Sequence, residues 1–170
     1  AVEDLPAFEP GIQADLSSHI EVAYCTLFRT YGGILFSSTT DSYIHHNTIA
    51  FSTGTAINIE NDSARVLIER NEVAFGEGDG VHTWDNATDI TWRENYIHDH
   101  ILWAHPDAVQ NFGDPTGLTF DRNLLMTGGQ ILITLSYDNT ITGNVMLNGI
   151  DTMAAQGQWR GLTFERNTVA

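Results

Sequence analysis

Short runs of alternating apolar and polar residues recur along the chain, and each run stops at an asparagine. Val66-Leu67-Ile68-Glu69-Arg70-Asn71, Ile90-Thr91-Trp92-Arg93-Glu94-Asn95 and Leu118-Thr119-Phe120-Asp121-Arg122-Asn123 share one form. A period of two puts successive side chains on opposite faces of a strand, so these runs predict β-strands with one buried face. The asparagine itself returns at positions 47, 71, 95, 123, 144 and 167, at steps of 24, 24, 28, 21 and 23 residues. Three residues before it stands an apolar residue (Ile44, Ile68, Trp92, Phe120, Ile141, Phe164), and two residues after it another (Ile49, Val73, Ile97, Leu125, Met146, Val169). The frame also fits one unit earlier, with Val22 and Leu27 at these offsets, Ile20 apolar five residues before, and Cys25 in the place of the asparagine.

A fixed period of this length marks a solenoid, whose units bury their apolar face only by stacking. Glycine-rich bends at Gly32-Gly33, Gly54, Gly76 to Gly80 and Gly128-Gly129 separate the strands, and no segment carries the spacing and caps of an amphipathic helix. The pattern therefore predicts an all-β fold, a right-handed parallel β-helix of about seven coils, with strands roughly 4.8 Å apart. At each bend the asparagine is expected to take left-handed backbone angles and to bond the same amide one coil away, as a ladder. Cys25 fills that row as a small buried side chain. Residues 1–17 read as a connecting or capping segment and residues 18–170 as the β-helix. With Val169-Ala170 in mid-repeat, the solenoid reads as an incomplete part of a longer one.

Charge narrows the partners. The chain has 22 acidic residues against seven basic ones, a formal net charge of -15, and every basic residue is arginine. Such a surface repels nucleic-acid phosphates and anionic lipid, which excludes both as partners. Acidic, lysine-free composition fits an extracellular location, secreted or on a cell or virion surface. One cysteine allows no internal disulfide, and no targeting or membrane-spanning segment is visible.

These repeats resemble the right-handed parallel β-helix proteins of the pectin-lyase-like superfamily, including bacterial and phage repeat proteins, over about residues 18 to 170. His105-Pro106-Asp107-Ala108-Val109-Gln110 is similar to a His-x-Asp-Gly-x-Gln segment of many such proteins, with Ala108 in place of the glycine. The resemblance implies a scaffold that carries polysaccharide lyases, hydrolases and epimerases, and equally tailspikes, adhesins and inert spacers.

Setting the coils in register locates a candidate site. Ten residues past the asparagine (or Cys25) lies an inward row, Leu35, Ile57, Val81, Ile133 and Ala154, but the coil starting at Asn95 reaches Val109 only after fourteen. Four residues are thus inserted within Ile97 to Pro106, in a loop holding His98, Asp99, His100, Trp103 and His105, and loops that interrupt an even period often carry function. The outward rows read Phe36, Asn58, His82, Gln110, Thr134, Ala155 and Ser38, Glu60, Trp84, Phe112, Ser136, Gly157, while Thr55, Asp79 and Asp107 align at the strand entrance.

Asp79, His82, His105 and Asp107 are the candidate catalytic residues, and Asn58, Glu60, Trp84, Trp103, Gln110 and Phe112 the candidate substrate contacts. Aromatic faces suit the C–H side of a pyranose, and the polar groups suit its hydroxyls. Asp79 and Asp107 one rung apart would stand at the carboxyl separation of a retaining glycosidase. His105 or His82 would instead be the base of a lyase, with an arginine or Ca²⁺ neutralising a uronate. Arg93 and Arg122 sit near the asparagine bends, away from this row. No metal site is assigned, although Glu60, Asp99 and Asp107 offer oxygens suited to Ca²⁺, and His98, His100 and His105 nitrogens suited to a transition metal.

Two functions stay open: a secreted carbohydrate-interacting protein, as a polysaccharide lyase or glycoside hydrolase on an acidic glycan, or a non-enzymatic segment of a tailspike, adhesin or extracellular fibre. Either way the expected partner is a polysaccharide or cell-surface glycan. A homo-oligomer or end-to-end assembly would cover the open coil ends.

Overall fold

The computed structural model describes residues 9–100, 107–126, 131–134, 136–147, 153–156 and 160–170. Each coil contributes three strands. The first coils are β1 (Pro10–Asp15), β2 (Glu21–Ala23), β3 (Thr26–Phe28), then β4 (Gly32–Ser37), β5 (Thr40–His45), β6 (Thr48–Ala50). Next come β7 (Ile57–Glu60), β8 (Ala64–Glu69), β9 (Glu72–Ala74), then β10 (Val81–Trp84), β11 (Thr91–Arg93), β12 (Tyr96–His98). They are followed by β13 (Val109–Phe112), β14 (Thr119–Asp121), β15 (Leu124–Met126), then β16 (Ile131–Thr134), β17 (Thr140–Thr142), β18 (Val145–Leu147). The last coil holds β19 (Met153–Gln156), β20 (Thr163–Glu165) and β21 (Thr168–Val169).

Every third strand pairs in parallel, giving three seven-stranded sheets: sheet one from β1 to β19, sheet two from β2 to β20 and sheet three from β3 to β21. The winding from the first to the last strand of a sheet is thus six turns, against the seven coils counted along the sequence. It also starts earlier than residue 18, because β1 pairs with β4 through Ile12 and Ile34.

The three sheets enclose one apolar core. Ile44, Ile68, Trp92, Phe120 and Ile141 from sheet two meet Ile49, Val73, Ile97, Leu125 and Met146 from sheet three and Ile34, Ile57, Val81 and Val109 from sheet one. Trp92 is fully enclosed because its indole N–H donates to Thr83 Oγ1 at 3.1 Å, which satisfies its one polar atom. In the last coil the same rows surface, with Phe164 and Val169 exposed.

The asparagine row forms the expected ladder. Each Nδ2 donates to the Oδ1 of the next copy, from Asn47 through Asn71, Asn95, Asn123 and Asn144 to Asn167, at 2.9–3.0 Å. Each Oδ1 also accepts the backbone N–H one coil back, including that of Cys25 from Asn47 at 2.9 Å. The left-handed residue, however, is the one before the asparagine: Tyr24, His46, Arg70, Glu94, Arg122, Gly143 and Arg166 all have positive φ. The chain turns there so that the amide can point inward, and the left-handed residue aims its side chain at solvent. Arg70, Glu94 and Arg122 consequently stack as an external ion-pair row, with Glu94 bonding Arg70 at 2.8 Å and Arg122 at 3.0 Å.

Candidate functional site

Sheet one sets the register of the site. Ile34, Ile57, Val81, Val109, Ile131 and Met153 align, so the inward row counted from the asparagines is off by one at Leu35 and Ala154 and by two at Ile133. Bends of unequal length between asparagine and sheet one cause the slip. Leu35, Asn58, His82 and Gln110 form the outward row, with Leu132 and Ala154 at the same register in β16 and β19, whereas Phe36 is a buried core residue. Ser37 pairs with Glu60 in place of Ser38, and Ser136 is buried beyond the strand.

Three coils in the middle, those of β7, β10 and β13, bring the candidate residues together. His82 lies between Asn58 and Gln110 on neighbouring strands, and Trp84 lies beside Phe112 with ring centroids 5.3 Å apart. The Trp84 ring also covers His82 edge-on at 4.2 Å, so the imidazole is only 3% exposed although it faces outward from the core. Burial pushes its pKa from 6.5 down to about 4, which keeps the ring neutral at ordinary pH. Its Nε2 has no hydrogen-bond partner among the described residues, nor has the adjacent Asn58 Oδ1.

The two aspartates meet differently from the carboxyl-to-carboxyl pair expected. Asp79 Oδ1 accepts the backbone N–H of Asp107 at 2.8 Å, and Asp107 Oδ2 accepts from Gln110 Nε2 at 3.1 Å. Asp107 is 1% exposed and lies beneath the surface, whereas Asp79 opens outward. His105 and Trp103 lie outside the described residues.

A groove of about 750 Å³ runs along this face. Asn58, Glu60, Asp79, His82, Trp84 and Gln110 line it, as do Tyr31, Glu77 and Asp85, which lie in bends that strand periodicity does not read. One signal for the bend residues was present. Gly54 and Gly78 stack so closely that a Cβ on Gly78 would sit 2.7 Å from the Gly54 carbonyl carbon, and Tyr31 packs over Gly54. Phe112 does not line the groove and is exposed beside Trp84.

The remaining candidates separate. β12 ends at His98, and Asp99 has φ 53°, so His98 and His100 do not share a strand face. His98 bonds Asp99 at 2.9 Å and stacks on Tyr96, while His100 bonds the Gly78 carbonyl through Nδ1 at 3.2 Å and props the groove bend from below. Burial lowers the His100 pKa as well. Glu60, holding Asn58 at 2.7 Å, lies in sheet one, whereas Asp99 follows sheet three, and no three His, Cys, Asp or Glu converge on a metal position among the described residues. The arginines are on other faces: Arg93 pairs with Glu69, Arg65 with Asp41, and Arg70 and Arg122 with Glu94. None of the seven lines the groove.

A family model described as "Right handed beta helix region" matches residues 8–97 and 32–170. The chain belongs to this family. The β-helix is of the right-handed, pectin-lyase-like type, and an alginate lyase from Paenibacillus sp. str. FPU-7 shares the fold, with a TM-score of 0.57 over 95% of this chain and 76% of the lyase at 8% identity. A mutant DFA-IIIase from Arthrobacter chlorophenolicus A6, in complex with DFA-III, matches with a TM-score of 0.51 over 89% of this chain and 43% of that protein at 14% identity. This β-helix protein therefore spans less than half of the second relative. At these identities the likeness is one of fold. No curated protein matches the sequence.

Proposed function

We propose that this β-helix protein binds a glycan in the groove over sheet one and that the chemistry the groove fits is hydrolysis of a glycosidic bond. The observation that carries the proposal is the lining itself: Trp84 and Tyr31 offer ring surface, Asn58 and Gln110 offer amides, and Glu60, Glu77, Asp79 and Asp85 offer carboxylates. Hydrolysis needs an acid and a base or nucleophile, both supplied by carboxyl groups. Asp79 and a second lining carboxylate would take these roles. Asp107, enclosed below, is a positioning residue that orients Asp79 through its N–H. Elimination from a uronate needs a cation on the sugar carboxylate, and the groove has no arginine among its lining residues. The acidic glycan expected from the sequence is accordingly a poorer fit to this groove than a neutral or cationic one. An extracellular setting is part of the same proposal, since polymeric glycans are met there.

The test is a glycan and polysaccharide panel read for binding, for new reducing ends and for the ultraviolet absorbance of unsaturated uronates, repeated on Asp79→Asn and Trp84→Ala. Support would be reducing ends without that absorbance, lost in Asp79→Asn with binding retained, and weaker binding in Trp84→Ala. Unsaturated products would overturn hydrolysis, and absence of binding to every glycan would overturn the groove assignment.

A second reading, a non-enzymatic segment of a spike, adhesin or fibre, rests on a different surface. Phe28, Phe51 and Phe75 stack along the rim of sheet three, 5.1 and 5.0 Å between centroids, and all three are exposed. Binding without cleavage in the same panel would favour it.

A further inference from the structure

The groove has a sign. Four carboxylates, Glu60, Glu77, Asp79 and Asp85, line it, Asp107 lies directly beneath, and the chain has no lysine and places none of its arginines there. The arginines pair with acids on other faces, Asp41 with Arg65, Glu69 with Arg93 and Glu94 with Arg70 and Arg122, and Glu60, Glu77 and Asp85 take part in no ion pair among the described residues. A concave wall of one charge with apolar surroundings concentrates the field inside it, so the groove attracts cations and repels anions.

Independently of charge, the floor of the groove holds unpartnered polar atoms. Asn58 Oδ1 and His82 Nε2 sit on adjacent strands in register, both buried and both without a partner among the described residues. The Asn58 amide N–H is already committed to Glu60 Oε2 at 2.7 Å. A buried polar group left unpartnered is costly, so a ligand that brings polar hydrogen-bonding groups to this point is favoured over an apolar one.

From the charge of the walls and the unpartnered polar atoms of the floor, we propose that the groove is specific for a glycan carrying free amino groups, a chain of glucosamine-type sugars whose ammonium groups face Glu77, Asp79 and Asp85 while their C–H faces lie on Trp84. The inference rests on the groove being the glycan site and adds the class of sugar. Ring stacking on Trp84 does not depend on the amine, but the charge contacts do, and N-acetylation removes them while preserving the ring. A uronate chain would meet carboxylate with carboxylate.

The experiment is calorimetric titration of the whole protein with a soluble glucosamine oligomer, its N-acetylated counterpart of the same length and a galacturonate oligomer, at low and high salt, repeated on a Glu77→Gln, Asp85→Asn double variant. Both substituted side chains reach solvent, and a thermal melt checks that the double variant folds. The expected result is roughly tenfold or greater preference for the amine over the acetylated chain at low salt, with loss of that preference at high salt and in the double variant. Equal binding of the amine and acetylated chains, or preference for the galacturonate, overturns the amine specificity and leaves the groove as a glycan site. Failure of all three oligomers overturns the specificity, and the wider glycan panel then shows whether the groove assignment falls with it.

Discussion

Asp79 grips Asp107 by its backbone: the Asp79 carboxylate accepts the Asp107 N–H at 2.8 Å, one coil further along the solenoid. The two acids are linked through main chain, which fixes the direction of the half-buried Asp79 carboxylate that lines the groove. Replacing Asp79 by alanine strips that N–H of a charged acceptor and should lower unfolding stability by about 1–3 kcal/mol. Asp79→Asn keeps an acceptor oxygen and should lose less. Urea unfolding of the three proteins checks this, and matching midpoints for wild type and Asp79→Ala would remove the bond from the stability account.

His82 makes stability depend on pH. Its pKa is about 4 in the fold and about 6.5 in an unfolded chain, so between those values the unfolded state holds a proton that the folded state refuses. The state that binds more protons gains as pH falls. The contribution is therefore present above about pH 6.5 and is lost as pH drops towards 4, by on the order of 3 kcal/mol. His100, also lowered by burial, adds a loss of the same sign. Asp41, held at about 2 by Arg65, titrates below this window. Unfolding curves recorded from pH 7 to pH 4 should show a shallower decline in His82→Phe than in wild type. An unchanged decline would mean that His82 is not the group responsible.

In the asparagine ladder one side chain serves two coils. Asn95 Oδ1 accepts both the N–H and the Nδ2 of Asn71, while its own Nδ2 bonds the Ile68 carbonyl and Asn123. Asn95→Ala leaves several buried polar groups unmet, each costing about 1–3 kcal/mol, so a total loss of at least about 3 kcal/mol is expected. Calorimetric melting decides it. A loss below about 1 kcal/mol would show that the rows exchange partners freely.

Two glutamates in or beside sheet two should behave unequally. Glu69 is nearly enclosed, accepts the Tyr43 hydroxyl and pairs with Arg93, whereas Glu94 sits at a solvent-facing bend between Arg70 and Arg122. Alanine at 69 strands a tyrosine hydroxyl and an arginine, so it should destabilise more than alanine at 94, whose pairs are screened by water and salt. The contrast is read from paired melts at low and high salt, where only the Glu94→Ala difference should fade.

Legibility in the sequence followed distance from the asparagine. Ile44, Ile68, Trp92, Phe120 and Ile141 lie three residues before it, inside a strand of fixed pleat, and all are buried. Leu35, Ile133 and Ala154 were placed by counting through a bend, and there each extra or missing residue shifts the register: one residue carries Leu35 onto the outward row beside Asn58, and two put Ile133 opposite Asn111 instead of Val109. The His82–Gln110 and Trp84–Phe112 neighbours were readable because the four inserted residues could be subtracted. Tyr31, Glu77 and Asp85 were not, since bend residues obey no period. Nor could alternation reveal that Trp84 covers His82, because occlusion depends on where a neighbouring ring lies.

Because register is reset at every asparagine, coil lengths of 21 to 28 residues coexist without the strands losing alignment. The amide row works as a set of fixed stations on a line whose intervening stretches can be lengthened or trimmed. The groove can thus be re-lined bend by bend, by evolution or by design, while the three walls behind it stay where they are.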